Sequence, residues 1–307
     1  VELAMTIALH EPFRAVFYTP FYLPVALGFY ASEGLDVTIA TAGATGSSTS
    51  ALLAGETEFV WGGPMQVMRH HDEDPQSPVV AFCEVVTRDP FFLVGREPKP
   101  GFRFSDLERR RIATVSEAPT PWLCLQEDIG RAGIDPDGLD RIADRSMAEN
   151  ADALRAGTLD VIQVFEPFVE QLVREGVGHI WYAAASRGAT SYTTLITTRS
   201  VIERAPERVM AMTRAAYRAQ KWVNTRSAPD IAEAVKGYFP DLDLEILAAC
   251  IERYRRLGVW GRDPLLPVTG FVRQKSGLLS GGLITRDVPY EDCVETRFAE
   301  EVVRTVR

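Results

Sequence analysis

The 307-residue sequence lacks any apolar run near the ~20 residues that span a bilayer, so no transmembrane helix is expected. No internal repeat or low-complexity run is visible, which argues against a repeat array. Cysteine is scarce. Cys83, Cys124, Cys250 and Cys293 stand far apart, with no CxxC and no histidine at metal spacing, so neither a redox motif nor a metal site is expected. Cys83 and Cys124 lie in apolar settings that suit buried free thiols; a Cys250–Cys293 bridge stays open in an oxidising compartment. His70 and His71 are adjacent and cannot share a helix face, so they read as surface residues and not as ligands. Positive charge is not in excess: the net charge of −9 argues against nucleic acid and anionic membrane surfaces as partners. It leaves an anionic small ligand open, because a helix N-terminus can oppose the global sign. An initiator Met is missing, and Glu2–Leu9 already reads as a strand. The expectation is a leader removed from the chain, a secretory signal peptide being the obvious candidate.

What is present is ordinary for a soluble globular protein: 46% hydrophobic and 24% charged residues, long enough for one large domain or two medium ones. The organising stretch is Gly43–Gly63, GATGSSTSALLAGETEFVWGG. A Gly/Ser turn feeds a short helix, Ser50–Ala54, which Gly55 ends; Glu58–Trp61 follows as a strand that Gly62-Gly63-Pro64 breaks. Such a turn aims unpaired N–H groups and partial positive charge at whatever lies before it, and Ser47, Ser48 and Thr49 can cap those donors or share them with a ligand. Taken alone the motif is equally a capped helix and nothing more.

Before this stretch, Phe13–Tyr30 is unusually aromatic. Phe21, Val25 and Gly28-Phe29 fall at helical spacing, whereas Phe17 and Tyr18 precede Pro20 and are freer to line a ligand site. After it, Met65–His71 reads as a helix, and Val79–Val86 and Pro90–Val94 as strands. Strand Ile112–Val115 runs into Ser116–Trp122, a second polar turn before a helix, with Thr120 as cap and Pro121 at the first helical position. Strands Leu159–Phe165 and His179–Tyr182 alternate with helices Ala148–Ala156 and Phe168–Glu175, predicting a small α/β unit with a largely parallel sheet. Tyr192–Thr197 reads as a return crossing. Helices then dominate: Glu207–Asn224, Pro229–Tyr238, Asp243–Leu257, about Leu266–Ser280, and a final helix Tyr290–Val303 docking on the first lobe. Val209, Met212, Ala216, Ala219 and Val223 give the first of these a buried stripe.

Several blocks together resemble the periplasmic solute-binding proteins of the nitrate/sulfonate/thiamine-pyrimidine type. They are Pro20-Phe21-Tyr22 with Gly28–Val37, Gly43–Ser48 with Leu53–Phe59, Phe104–Leu107, Ala156–Asp160, Phe165–Phe168, Gly281–Ile284 and Val288–Asp292. No single block is very specific; their order and spacing over essentially the whole chain are. The resemblance implies a two-lobed α/β fold of the type II periplasmic-binding-protein class, crossed twice near Thr87–Val94 and Ala189–Thr197. Residues 1–88 plus 195–307 would form lobe 1 and residues 89–194 lobe 2. It further implies a monomeric, extracytoplasmic binder, periplasmic or lipid-anchored, that delivers a small molecule to an ABC permease and needs no cofactor.

On that reading the first lobe offers His10 at a strand end, Phe17, Tyr18 and Tyr22 as an aromatic wall, Gly46, Ser47 and Ser48 as donors, and Trp61 with Gly62. The second offers Glu117, Pro119, Thr120, Trp122 and Glu166, with Tyr192 at the return crossing. Trp61 and Trp122 are equally suited to core packing, and Glu166 to capping the helix after it. Many aromatics with one candidate carboxylate suit a flat, amine-bearing ring such as a pyrimidine; an aromatic carboxylate or sulfonate, or an aliphatic sulfonate or nitrate, is the alternative. Enzymes resembling this family, pyrimidine synthases and desulfinases, carry cysteines in the cleft. The corresponding stretch Ser186–Tyr192 has none, and Cys124 only follows a polar turn, which favours binding over catalysis.

Overall fold

Ile7, Leu9 and Glu11 face inward along the first strand while Ala8 and His10 are half-buried, the period-two signature of a strand with one core face. The computed structural model describes residues 6–41 and 47–306, and of Ser47 only the backbone. The expected strand start at Glu2–Met5 and the turn residues Gly43 and Gly46 lie outside the described residues. In chain order, β1 (Ile7–Glu11) is followed by a 3-10 turn at Val16–Tyr18, α1 (Thr19–Ala26) and α2 (Phe29–Ser32). Then come β2 (Val37–Thr41), α3 (Ser47–Leu53), β3 (Val60–Gly62), α4 (Pro64–Glu73) and β4 (Val79–Val86). The middle holds β5 (Phe92–Gly95), β6 (Ile112–Ala113), α5 (Thr120–Arg131), β7 (Arg141–Ile142), α6 (Met147–Arg155), β8 (Val161–Val164), α7 (Phe168–Arg174) and β9 (His179–Ala183). The last part is β10 (Thr193–Thr198), α8 (Arg199–Arg204), α9 (Pro206–Thr225), α10 (Ala228–Val235), α11 (Leu244–Leu257), α12 (Val268–Ser280), α13 (Tyr290–Cys293) and α14 (Arg297–Thr305).

Two five-stranded sheets result, ordered β2-β1-β3-β10-β4 and β7-β6-β8-β5-β9. In the first, β1 runs parallel to β2 and β3, and β10 is antiparallel to β3 and β4. All eight residues of β4 are buried, so this strand is covered on both faces. In the second sheet β6 is parallel to β7 and β8, but β5 is antiparallel to β8 and β9. The expected largely parallel sheet is therefore mixed. The sequence order of strands suggests βαβ units throughout; β5, however, enters from the other sheet and must run opposite to its neighbours.

The chain passes between sheets twice, at Thr87–Phe91 and at Ala184–Tyr192, and the two passages are laced together. Tyr192 N donates to Val86 O at 2.8 Å, Thr190 N to Thr87 O at 2.8 Å and Ala184 N to Phe91 O at 2.9 Å. Helices α9 and α14 pack on β4, and α1 packs on α9. The later helices do not all stay with the first sheet. On α11, Tyr254 Oη accepts from Glu166 N at 3.0 Å and Arg253 pairs with Glu166 and Glu170, while α12 lies along α5, with Ser276 Oγ donating to Glu127 at 2.5 Å.

Local differences have local causes. The aromatic helix near Phe21 breaks at Gly28, whose φ of 69° is left-handed. The expected terminal helix is split into α13 and α14 because Val294 bridges Ala81 and Glu295 N donates to Ala81 O at 2.9 Å, finishing the outer edge of β4. His71 is buried, not on the surface, and its Nε2 lies 3.0 Å from Val79 O. All four cysteines are free and buried, so no Cys250–Cys293 bridge forms.

Candidate functional site

A cavity opens where strand ends of one sheet face a helix start of the other, with about 440 Å³ of space not filled by atoms, part of it open to solvent. From the first sheet, β1 delivers Pro12 and Phe13, and the 3-10 turn delivers Phe17 and Tyr18. That turn is locked by Thr19, whose Oγ1 donates to Val16 O at 2.7 Å, and by Trp260, whose Nε1 donates to Phe17 O at 2.8 Å. After β3, Gly63 precedes α4, and the first turn of that helix presents Met65 and Gln66. From the opposite side the start of α5 presents Ala118, Thr120 and Pro121; the crossings supply Phe91, Tyr192 and Thr193.

The wall is aromatic and continuous. Phe17 and Tyr18 lie with ring centroids 4.2 Å apart, Phe17 meets Tyr192 edge-on at 6.4 Å, and Phe91 meets Tyr192 at 6.2 Å. Phe165 backs them, 5.4 Å from Phe17, 5.2 Å from Phe91 and stacked on Phe13 at 6.0 Å. Such offset and edge-on pairs hold aromatic walls rigid beyond their area burial. No charged side chain and no thiol lines the cavity among the described residues. Its polar groups are hydroxyls and one amide, and the buried Tyr192 Oη and Gln66 Oε1 have no protein partner. Burial pushes the Tyr192 phenol well above its ordinary value, with buried Asp89 adding to the effect, so it stays protonated as a donor.

Of the residues expected from sequence, Phe17, Tyr18, Thr120 and Tyr192 meet at this cavity. Thr120 is already helical and Pro119 stands as N-cap with no side-chain cap bond; Pro119 is exposed and does not line the cavity. His10 sits within the sheet, paired with Ala40 and Val60. Tyr22 is buried, donating to Glu11 Oε2 at 2.8 Å and stacked on Tyr238 at 4.6 Å. Trp61 is fully buried, stacked on Phe21 at 4.7 Å beneath Tyr18; the core reading of this residue is the one realised. Gly62 also lies off the cavity, but a Cβ there would come within 2.7 Å of Gln66 Nε2, so its bareness makes room for that amide. Ser48 is buried inside α3, while Gly46 and the Ser47 side chain lie outside the described residues.

The two carboxylates are spent on structure. Glu117 is exposed and accepts from Met147 N at 2.8 Å at the start of α6. Glu166 is fully buried, accepts from Glu170 N at 2.9 Å on α7 and pairs with Arg253. Burial holds its carboxyl up, against the lowering by Arg253. It is the helix cap weighed as the rival reading and does not line the cavity. Trp122 is half-buried beneath the Arg141 guanidinium, 4.0 Å from its ring centre. Sequence reasoning missed Phe13, Gln66 and Phe91. The signals were present: Pro12 turns the chain at a strand end, Gly62-Gly63-Pro64 puts the first turn of a helix at one, and Asp89-Pro90 opens a crossing. Cys124, one turn into α5, is buried and held up to about 12 by that burial. Among the described residues no three potential ligands cluster as a metal site would need.

Comparison with known proteins agrees with this geometry. The family description NMT1/THI5 like matches residues 17–226. The chain is 27% identical over 303 residues to YtlA of Bacillus subtilis (strain 168), a candidate binding protein by its name, across 98% of this chain and 91% of that one. Its fold is similar to the periplasmic aliphatic sulphonate binding protein SsuA from Escherichia coli, with TM-score 0.76 and 12% identity over 96% of this chain and 93% of that one. It is also similar to the desulfurization enzyme DszB, with TM-score 0.68 and 12% identity over 99% of each chain. The architecture is thus the two-lobed α/β periplasmic-binding-protein type. With the family match spanning more than half of its length, the chain belongs to the NMT1/THI5-like family.

Proposed function

We propose that this chain is the solute-binding component of an ABC importer, acting outside the cytoplasm as a monomer, with a membrane permease as its partner. Its two lobes, residues 1–88 plus 195–307 and residues 89–194, close on a small planar solute of pyrimidine-like or aromatic kind. The observation that carries this is the wall of Phe13, Phe17, Tyr18, Phe91 and Tyr192, drawn from the first sheet's edge and from the two crossings around one cavity. Flat rings stack on such walls and exchange water for aromatic surface, which favours closure around the solute. The absence of a charged group or thiol from the described lining supports binding without turnover: a hydrolytic or desulfinating site needs an activated nucleophile with a base in reach. Among the described residues no helix is long and apolar enough to cross a membrane, which is compatible with a binder that hands its solute to a separate permease.

A second reading, an anion of the sulfonate or nitrate kind, draws on the starts of α4 and α5 at the cavity, whose dipoles favour negative charge. Calorimetry with a pyrimidine and an aromatic sulfonate separates the two. Binding of the pyrimidine, weakened by Phe17→Ala, is the expected result. Binding of the sulfonate alone would transfer the proposal to the second reading, and turnover of either by purified protein would replace binding with catalysis.

A further inference from the structure

Gln66 is 6% exposed and lines the cavity, yet its side-chain Oε1 is buried with no hydrogen-bond partner among the described residues. An amide oxygen buried without a partner is destabilising. Three features of the fold nonetheless hold it there. Gly63 caps α4, Pro64 starts it, and Gly62 leaves the space in which the amide lies, since a Cβ at that position would sit 2.7 Å from Nε2 and 3.2 Å from Cδ. A primary amide has a donor and an acceptor side by side in one plane. In a cavity walled by rings, it matches a planar molecule carrying the complementary pair on one edge. Gln reads adenine on the same principle, through an adjacent donor and acceptor.

The other polar features point the same way. An oxyanion calls for cations or a nest of backbone N–H groups. Among the described residues no charged side chain lines this cavity, and the two helix starts that face it carry Pro64, Pro119 and Pro121, which remove three of the N–H groups an anion could use. Tyr192 Oη, buried and unpartnered, adds one more donor that can also accept.

We infer that Gln66 is the specificity-determining residue of this cavity, and that the solute it selects is an uncharged planar compound with adjacent hydrogen-bond donor and acceptor on one edge, of the amide, lactam or amino-heterocycle class. The inference rests on the cleft being the solute site, as proposed above, and reads its selectivity. Because either orientation of the amide presents one donor and one acceptor, it does not depend on which atom is oxygen.

The test is calorimetry on the full chain with three probes: cytosine, which has such an edge; indole, planar without it; and benzoate, a planar anion. Wild type is expected to prefer cytosine. Gln66→Leu should weaken cytosine by about tenfold or more and leave indole within about twofold. Gln66→Glu, which keeps the shape but removes the donor, should also weaken cytosine and guards against a packing artefact in the Leu variant. Equal cytosine binding by wild type and both variants, with planar probes still bound, overturns the inference alone. Preference for benzoate in wild type does the same. A wild type that binds none of the three rejects the planar-enclosure reading and this inference with it.

Discussion

Arg187, on the second passage between the sheets, places its guanidinium 2.8 Å from the Asp89 carboxylate on the first. Both are nearly inaccessible, and the same guanidinium also holds Asp128 on α5, which accepts from Tyr182 Oη at 2.9 Å. The two passages are therefore tied by charge as well as by backbone hydrogen bonds. Burial raises the Asp89 carboxyl above its ordinary value, and Arg187 is the chief influence bringing it back down. Replacing Arg187 by Leu leaves that carboxylate uncompensated, a loss of about 3–5 kcal/mol for a broken buried pair. Its folded pKa then rises further, so the native state takes up a proton that the unfolded chain has released. Urea titrations of Arg187→Leu should show a smaller loss at pH 5 than at pH 8; an equal loss at both would remove Asp89 from the account.

Glu84 gives a pH dependence of its own. It lies near the end of β4, 2% exposed, with Oε1 unpartnered, and burial pushes its carboxyl up from 4.5 to about 8, against the lowering influence of nearby Ser191 and Thr87. Between those values the folded state keeps a proton that the unfolded state gives up. Its contribution to stability is therefore lost as pH rises from about 4.5 towards 8, on the order of 1 kcal/mol per pH unit. Glu84→Gln should flatten this slope. Its Tm should match wild type near pH 5 and exceed it near pH 8, and parallel curves for the two proteins would contradict the assignment.

Trp61 and Phe17 separate stability from binding. Trp61 is stacked in the core on Phe21, so Trp61→Ala should cost about 3–5 kcal/mol of folding free energy. The molecules that remain folded should bind planar solutes nearly as wild type does. Phe17→Ala should weaken planar solutes by roughly 1–3 kcal/mol, the scale for loss of one aromatic wall. Chemical denaturation paired with calorimetry on each variant checks both; a Trp61→Ala protein of native stability with lost binding would reverse their roles.

Glu166→Gln is expected to act on stability as well. The change removes the charge facing Arg253 and weakens the cap on α7, for a loss of about 3–5 kcal/mol. Solute affinity, measured for an uncharged and an anionic ring, should move in step for both. A selective gain for the anion would show that the carboxylate reaches the solute after all.

The fold was legible because it is written in order and periodicity. Strand–helix alternation, the Gly and Pro stops and the family blocks locate β4, α9 and α11 within a residue or two. The site was half legible. Phe17 and Tyr18 stand out because Pro20 separates them from the buried helix stripe, and Tyr192 because it opens a crossing. Glu166, Trp61 and His71 show where local reading stops. Glu166 and Trp61 have a suitable residue type at a strand end, and His71 reads as a surface residue, but Glu166 pairs with Arg253, Trp61 stacks on Phe21 and His71 is buried against Val79. All three partners lie on a separate element, and sequence spacing does not register them. Gln66 was missed for the converse reason: a single polar residue early in a helix carries no signal until its amide oxygen proves to have no partner.

The strand order of the first sheet has a consequence for how the chain assembles. β10 lies between β3 and β4, although the whole second sheet is encoded between β4 and β10. The outer edge of β4 is completed later still, by Val259, Gly261, Pro264 and Glu295. Residues 92–183 can therefore pair their strands as soon as they exist, whereas the first sheet stays split until β10 arrives, and the edge of β4 stays open until nearly the last residue does. Closing such distant pairings is slow, so the sheet whose first strands are made earliest is the one whose pairing is completed last.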